Sequence, residues 1–311
     1  MSLCLCGEKV EPEVHTPILT EAILEYLRPA PGHSFIDATV NGGGHTRLLL
    51  QHSAPNGRVL GIDRDPGLIE QTRTRLAGEV DSGRLILAHG NFRDLEEIAL
   101  AHGFAAVDGV IFDLGLSSYH LDRSRRGFSF SAAEPIDMRF DVSDPEAESV
   151  AEILASRREE ELANLIYELG EERFSRRIAR AIVRRRESEP VQLTSQLYDL
   201  VVGALPGPAR RHAGRSAARV FQALRIAAND ELGAIQAALP QAVRLLRPGG
   251  RIAVLSFHSL EDRIVKLYFR ERKQQGELQI LTKKPLRAGD AEVAANPRAE
   301  SAKLRVAERT E

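Results

Sequence analysis

Acidic residues and a run of glycines in the first part of the chain have the types and spacing of a cofactor site. Residues 34–40, SFIDATV, are rich in β-branched and aromatic side chains, which indicates a buried strand. The pattern breaks into Asn41-Gly42-Gly43-Gly44, and residues 46–51 have a helical pattern. Glycines let a backbone approach a ligand closely, and a helix N-terminus offers free N–H groups. The dinucleotide fingerprint is not met, because its third glycine would fall at Arg47. A plain strand-to-helix turn is the alternative for the loop taken alone.

Two carboxylates end predicted strands, where open parallel sheets bind their ligands. Asp63 ends residues 58–63, RVLGID, and a carboxylate there accepts hydrogen bonds from vicinal ribose hydroxyls. The alternative is a surface aspartate that caps the helix predicted at residues 66–76. Asp113 lies near the end of residues 107–114, VDGVIFDL, a strand that is apolar on both faces. Because an unpaired carboxylate is costly to bury, we expect Asp113 to serve a ligand.

Two further side chains follow predicted strands. Phe92 lies in a polar loop after residues 84–88, RLILA, where an aromatic ring would stack on an adenine. The same phenylalanine would equally suit a hydrophobic staple at the start of the next helix. His258 follows residues 251–256, RIAVLS, the fifth predicted strand. Its position fits a substrate contact and a supporting polar group equally well.

Between the fourth and fifth predicted strands the pattern changes to helices. Helical spacing of apolar residues runs through residues 149–170, 171–187 and 192–204, and no strand alternation interrupts it. The expected fold class is α/β, with a mostly parallel sheet and helices on both of its faces, plus an inserted all-helical domain. We place the α/β domain at residues 1–120 and 214–311 and the inserted domain at residues 121–213.

One inserted helix carries an arginine ridge, defined as Arg173, Arg176, Arg177, Arg180 and Arg184. At about 100° per residue these five side chains share one narrow face, and apolar residues occupy the opposite face. Like charges on one face repel each other, so the pattern favours a run of phosphates as the partner. The alternative is ion pairing with the acidic residues 159–161.

The composition of the 311 residues is that of a globular protein, with 43% hydrophobic and 28% charged residues. The formal net charge is −2, so any nucleic-acid surface must be local. No apolar run approaches the roughly 20 residues of a membrane span, and the start of the chain does not resemble a signal peptide. Cys4 and Cys6 are too few for a zinc site. We therefore expect a cytoplasmic protein with no membrane segment and no metal centre.

The assembled pattern resembles class I S-adenosylmethionine-dependent methyltransferases: an acid before a glycine loop, acids ending strands two and four, and a PGG turn before strand five. A finer resemblance covers essentially residues 14–311 and is to the ribosomal RNA small subunit methyltransferase H family, also called MraW. The blocks that carry it include HTPILTEA, GGGHT, GIDRDP, DLGLSS, RGFSF, PIDMR, FQALRI and LRPGGRIAVLSFHSLEDRIVK. The resemblance implies N4-methylation of cytosine 1402 in bacterial 16S ribosomal RNA.

The same resemblance implies particular residues and partners. The cofactor would be S-adenosylmethionine, and the partner would be 16S ribosomal RNA or the small ribosomal subunit. His120 falls where the family usually has a glutamine, so this contact departs from the pattern. The cofactor contacts of the family fall on Gly43, Gly44, His45, Asp63, Phe92, Asp113 and His120.

The proposed reaction needs a group that activates a weak nucleophile, because the lone pair of the cytosine amine is delocalised into the ring. A hydrogen-bond acceptor beside the amine would increase its electron density. Asp113 is the candidate for this catalytic role, and a nearby backbone carbonyl is the alternative. Two other classes fit a Rossmann-like fold: a nucleotide-dependent oxidoreductase and a non-catalytic RNA-binding protein. Preference for NAD over S-adenosylmethionine would indicate the former, and absence of methyl transfer the latter.

Overall fold

The computed structural model describes residues 17–310, so Cys4 and Cys6 lie outside the described residues. Within this range a seven-stranded sheet has the order β3-β2-β1-β4-β5-β7-β6. Strands β1 to β5 pair in parallel, and β7 runs antiparallel to both β5 and β6. The strands are β1 Ser34–Asp37, β2 Arg58–Asp63, β3 Leu85–His89, β4 Val107–Asp113, β5 Leu246–Ser256, β6 Leu278–Ile280 and β7 Lys303–Arg309.

Fourteen α-helices and three short 3-10 helices connect and cover the strands within residues 17–310. In the same part of the chain, no helix combines the length and the apolar character that crossing a membrane requires. The α-helices are α1 Thr20–Leu27, α2 Gly44–His52, α3 Pro66–Arg75, α4 Ala77–Asp81, α5 Leu95–Ala101, α6 Ser118–Asp122, α7 Val150–Ser156, α8 Glu159–Gly170, α9 Ser175–Arg186, α10 Thr194–Ala204, α11 Ala213–Asn229, α12 Glu231–Leu245, α13 Ser259–Gln274 and α14 Asp290–Ala295.

Alternating side chains bury the two faces of the sheet separately, because successive residues of a strand point to opposite sides. Ile36 and Phe112 belong to a core that α5, α12 and α13 cover. Their neighbours Phe35 and Ile111 belong to the opposite core, which α1 and α2 cover. The predicted fold class, a mostly parallel sheet with helices on both faces, is confirmed.

A third apolar core lies among the helices α7 to α11. Helix α8 is at its centre and packs against both α9 and α11. Gly170 at the end of α8 allows the close contact with α11, because a Cβ there would lie 2.6 Å from the carbonyl oxygen of Arg219. Helix α11, which follows the predicted inserted segment, contributes Val220 and Leu224 to this core.

Two helix predictions differ from the structure in where the helices break. The segment 149–170 was expected to be continuous, but its backbone is extended at Arg157 and Arg158, so α7 and α8 are separate. Apolar residues also recur at helical spacing through residues 219–236, which predicts one amphipathic helix, but the helix breaks at Asp230, whose φ is 45°. There the side chain of Asn229 accepts from the N–H of Phe140 and donates to the carbonyl of Met138. These tertiary hydrogen bonds hold the end of α11 and have no local sequence signal.

The boundaries of two interior strands differ from those expected. Strand β1 ends at Asp37, three residues earlier than expected, because the chain already turns toward the glycine loop. Strand β5 begins at Leu246, so the predicted PGG turn lies inside the strand, where Leu246 pairs with Val107 before the register shifts. Strand β6 and helix α14 were not predicted, because each is short and weakly patterned.

Candidate cofactor site and the adjoining cavity

The glycine loop has a backbone conformation that explains its composition. Asn41, Gly42 and Gly43 have φ values of 49°, 93° and 79°, in the left-handed region that glycine adopts without strain and asparagine tolerates. A Cβ on Gly43 would lie 2.8 Å from Cγ2 of Thr72 in α3. The loop thus passes too close to α3 for a larger residue, and α2 begins directly after it at Gly44.

Asp37, the acid at the end of β1, ties the loop to the sheet. Its Oδ2 accepts a hydrogen bond of 2.6 Å from Oγ1 of Thr46 in the first turn of α2, and its Oδ1 accepts from the N–H of Thr39. Burial raises the pKa of Asp37 to about 6, although the hydrogen bond from Thr46 opposes this effect. Asp37 therefore fixes the start of α2 relative to β1.

Asp63 ends β2 with its carboxylate held by two backbone donors. The N–H groups of Asn41 and Asp65 donate to Oδ2 and Oδ1, each at 2.9 Å. Burial raises the pKa of Asp63 to about 7 in spite of these hydrogen bonds. Each oxygen retains a second lone pair, and the side chain lines a cavity. This geometry suits a carboxylate that accepts hydrogen bonds from hydroxyl groups of a ligand.

Asn41 also links the loop to Asp113 at the end of β4. Its side chain donates to the carbonyl oxygen of Asp113 at 2.7 Å, and the N–H of Asp113 donates to Oγ1 of Thr39. Nε2 of His45 lies 3.5 Å from Oδ2 of Asp113, and both side chains are almost fully buried. The structure thus brings His45, Asp63 and Asp113 together around one asparagine that was not predicted.

A cavity, which we call the cofactor cavity, opens at the carboxyl ends of β1, β2 and β4. The glycine loop contributes Asn41 to its wall rather than Gly43, Gly44 or His45. One face of Phe92 closes the wall, while its ring packs edge-on against Phe112 at a centroid distance of 5.7 Å. The wall includes four of the predicted cofactor residues: Asp63, Phe92, Asp113 and His120.

His120, the departure from the family pattern, is buried within a hydrogen-bond network. Its Nε2 lies 3.1 Å from Oδ2 of Asp65, and its Nδ1 lies 2.9 Å from Oγ of Ser117. Burial lowers the pKa of His120, so the ring is neutral near pH 7. A neutral ring that donates from Nε2 to Asp65 accepts at Nδ1 from the Ser117 hydroxyl. The guanidinium of Arg126 pairs with the same oxygen of Asp65.

A second cavity of about 350 Å³ adjoins the first, and we call it the substrate cavity. The two cavities share Leu114, Gly115 and Glu261 in their walls. Most of the substrate cavity is apolar, and a few polar groups converge on it, as is typical of sites that bind small organic groups. Its apolar wall includes Leu116, Leu121, Phe128, Phe130, Met138, Phe221 and Phe257, and its polar wall includes Gln222, Arg225, His258 and Arg298.

His258 lies at the polar end of the substrate cavity, beside two buried glutamates. Glu261 accepts from the N–H of Phe257 at 2.7 Å, and its other oxygen lies 3.1 Å from Nε2 of His258. Possible ligand atoms of Glu231, His258 and Glu261 lie within 4.8 Å of one another, so this group has the composition of a metal site. However, the buried guanidinium of Arg225 donates to both oxygens of Glu231. The charge of Glu231 is therefore already balanced by a guanidinium.

The arginine ridge lies on the surface, apart from both cavities. Arg176, Arg177, Arg180 and Arg184 are exposed on α9, whereas Arg173 precedes this helix and stacks over the ring of Phe174. The helix begins later than expected because Glu172 accepts from the N–H of Phe174 and holds a turn there. Arg180 pairs with Glu159 at 3.2 Å, and Arg176 donates to Asn164. The ridge thus has some partners on α8.

Comparison with known proteins decides the family. A family model described as the MraW methylase family matches residues 13–310. The ribosomal RNA small subunit methyltransferase H of Syntrophotalea carbinolica is 46% identical over 313 residues, covering 95% of this chain and 98% of the relative. The protein of the same name from Thermomicrobium roseum is 47% identical over 310 residues, covering 95% and 93%.

The chain belongs to the MraW methylase family. This membership confirms the predicted enzyme class, a methyltransferase, and with it S-adenosylmethionine as the predicted cofactor. The oxidoreductase and the non-catalytic RNA-binding protein are the less supported alternatives. In this MraW family member the glycine loop, Asp63 and Asp113 lie together at the carboxyl ends of the parallel strands. A nucleoside cofactor would bind there.

Several residues of the site were missed by the sequence analysis. Asn41 and Asp65 each lie two positions from a predicted residue, and their role depends on a turn geometry that spacing does not reveal. Arg126 is the first residue of the RGFSF block, which was considered only as part of the family resemblance. Glu261 had a local signal, because it lies three residues after His258, the spacing of a helix-capping pair.

Proposed function

We propose that this protein transfers a methyl group from S-adenosylmethionine to the exocyclic N4 of a cytosine, position 1402, in 16S ribosomal RNA of the small ribosomal subunit. The names of its relatives support the substrate. The observation that carries the proposal is the junction of the two cavities at Leu114, Gly115 and Glu261. A cofactor in one cavity and a base in the other would meet beside Asp113.

The residues of the cofactor cavity fit the parts of this cofactor. Asp63 would accept hydrogen bonds from the ribose hydroxyls, and Phe92 would contact the adenine. The methionine portion would lie toward Asp113 and the glycine loop, with Gly43, Gly44 and His45 supporting it. His120 would contact the cofactor through its buried ring edge. When bound, the cofactor supplies a methyl group on a positively charged sulfur.

The residues at the junction would orient the cytosine amine and accept its hydrogen bonds. Asp113 is our candidate for the catalytic acceptor, since its carboxylate lies at the end of β4 in the cofactor cavity. Glu261 is a second acceptor in the shared wall. Its carboxylate is held in place because it accepts a hydrogen bond from the N–H of Phe257. Either acceptor would increase electron density on the nitrogen. The surrounding apolar wall would exclude water and strengthen that interaction.

We assign substrate recognition to the helical part of the chain. The segment 121–213 would form this recognition domain, with α11 packed against it. His258 would contact the substrate from the substrate cavity, and the arginine ridge would bind RNA phosphates. The partner would be the small subunit or its 16S RNA, and the protein would act in the cytoplasm, where this partner is assembled.

The decisive experiment is mass spectrometry of the 16S decoding region after incubation of unmodified small subunits with the protein and S-adenosylmethionine. We expect one added methyl group on N4 of a single cytosine. The variant Asp63→Ala should give no product at limiting cofactor, and the surface variant Arg270→Gln is the matched control. Methylation of another atom or nucleotide, or preferential binding of NAD in calorimetry, would contradict the proposal.

A further inference from the structure

The segment that enters α11 is unusually basic. Between Leu205 and Asn229 the sequence LPGPARRHAGRSAARVFQALRIAAN contains no acidic residue. Arg210, Arg211 and Arg215 are exposed there, and Arg219 is 45% exposed. Helical spacing in the sequence does not single out this segment, because its arginines are spread over a 3-10 helix and the first turns of α11.

The exposed charges of this segment are only weakly neutralised by the protein. Arg210 and Arg211 each donate from Nε to a backbone carbonyl of their own segment. Within residues 17–310, Arg215 forms no hydrogen bond or ion pair. Arg219 lies 3.8 Å from Glu172, which is almost fully buried. Positive charge of this density with no acidic neighbours in sequence suits a polyanion.

Helix α11 connects this basic surface directly to the substrate cavity. Ala218, Gln222 and Arg225 line that cavity. At about 100° per residue, Arg215 lies within about 80° of all three around the helix axis. It stands one turn before Ala218, at the same side of α11. A strand whose base entered the substrate cavity would therefore leave a neighbouring phosphate beside Arg215. Arg211 lies four residues before Arg215, in the 3-10 helix that leads into α11, where it can meet a further phosphate.

The arginine ridge on α9 does not share this position. No residue of α9 lines the substrate cavity. Helix α8 packs against both α9 and α11 and thus lies between the ridge and the cavity-lining helix. In addition, Arg180 and Arg176 of the ridge have partners on α8. Of the two basic surfaces, the α11 segment is therefore the better placed to bind the phosphates that neighbour the target base.

We propose that Arg211 and Arg215 bind the phosphates of the RNA strand on either side of the target nucleotide and so hold its base at the substrate cavity. This inference rests on the proposed function, because it takes RNA as the substrate. It assigns positioning to two residues that need not touch the reacting atoms. The occupant we commit to is an RNA backbone, and an acidic protein surface is an alternative that the test separates.

The test uses the variant Arg211→Gln, Arg215→Gln, which keeps side-chain length and removes two charges. Arg219 is left unchanged, because its loss would strand the buried Glu172. We expect RNA affinity at about 0.15 M salt to fall about tenfold and the log–log salt dependence to flatten by about 1.4 units, at about 0.7 per phosphate of a single strand. KM for small subunits should rise by a similar factor, while the single-turnover rate at saturating subunits changes less than twofold.

The control is Arg270→Gln, Lys273→Gln, which removes the same charge from the exposed face of α13. It should leave the salt dependence unchanged. If both double variants behave alike, or if the α11 variant keeps the wild-type slope and KM, the inference is overturned. If the wild-type protein itself methylates no small subunit, the proposed function fails first. The two failures are therefore distinguishable in one series of assays.

Discussion

Cofactor affinity should depend on pH through Asp63. Burial raises the pKa of this carboxyl to about 7 in the ligand-free protein, even though the N–H groups of Asn41 and Asp65 donate to it. Ribose hydroxyls donate hydrogen bonds, so they prefer the ionised carboxylate, which is acceptor-only. A protonated Asp63 must lose its proton before it accepts both hydroxyls. Lowering the pH through 7 therefore weakens binding.

The magnitude follows from the pKa. When only the ionised form binds, the apparent Kd contains the factor 1 + 10^(pKa − pH). Between pH 8 and pH 6 this factor rises about tenfold, which corresponds to about 1.4 kcal/mol of binding free energy. Asp63→Ala removes two charge-assisted hydrogen bonds of about 1.5–3 kcal/mol each. That variant should lose at least tenfold in affinity at pH 8 while the fold persists.

Calorimetric titration with S-adenosylmethionine at pH 6, 7 and 8 measures both effects. Asp63→Asn is the control for pH, because it keeps the shape of the side chain but does not titrate. Titration of the cofactor's own groups affects the wild type and the control equally and cancels in the ratio. The quantity to compare is the ratio of the wild-type affinity to the Asp63→Asn affinity at each pH. If this ratio does not change with pH, or if Asp63→Ala binds the cofactor as tightly as the wild type, the assignment of Asp63 to the ribose is refuted.

Three further variants test other parts of the structure. Asp113→Asn should slow single-turnover methyl transfer at saturating cofactor by more than it weakens cofactor binding; full recovery at saturation would limit Asp113 to the cofactor. Replacing Arg176 and Arg180 by Gln should flatten the log–log salt dependence of RNA binding by up to about two units. A lower Tm with an unchanged salt slope would instead show that the arginine ridge serves stability through its pairing with Glu159. Burial raises the pKa of Asp37 from 3.8 to about 6, so the folded state binds more protons than the unfolded state between these values. Stability should therefore fall by about 2 kcal/mol between pH 4 and pH 6 relative to Asp37→Asn in denaturant titrations.

The parts of the fold that the sequence predicted well are those with strong local patterns. Strand β2 has the predicted bounds, because a continuous apolar run ends at Asp63 and is followed by Pro66. The break between α11 and α12 was not predictable, since it depends on Asn229 contacting residues 138–140, about ninety positions earlier. Helical spacing alone continues through Asp230 without interruption.

The residues of the candidate site likewise divide into those with a local sequence signal and those that depend on contacts distant in sequence. The carboxylates Asp63 and Asp113 were identified because strand ends of a parallel sheet converge at one edge. The group that joins them, Asn41, was not identified, since its role requires a positive φ and a side chain that crosses to β4. Glu261 and Arg225 were missed for a related reason. Their meeting at the substrate cavity depends on the packing of two helices that are distant in sequence.

His120 shows how the cofactor site and the helical part of the protein are mechanically joined. Burial alone would raise the pKa of Asp65, but hydrogen bonds from His120 and Arg126 outweigh it and lower that pKa, so Asp65 is ionised. Asp65 also donates its N–H to Asp63, the carboxylate that we propose binds the ribose. Arg126 donates in turn to the carbonyls of Arg139 and Phe140 in the helical part. A set of hydrogen bonds therefore runs from the proposed ribose site through Asp65 and Arg126 to the backbone of residues 139 and 140. The ring of His120 also bonds to Asp65 and packs against Phe140, which lines the cofactor cavity.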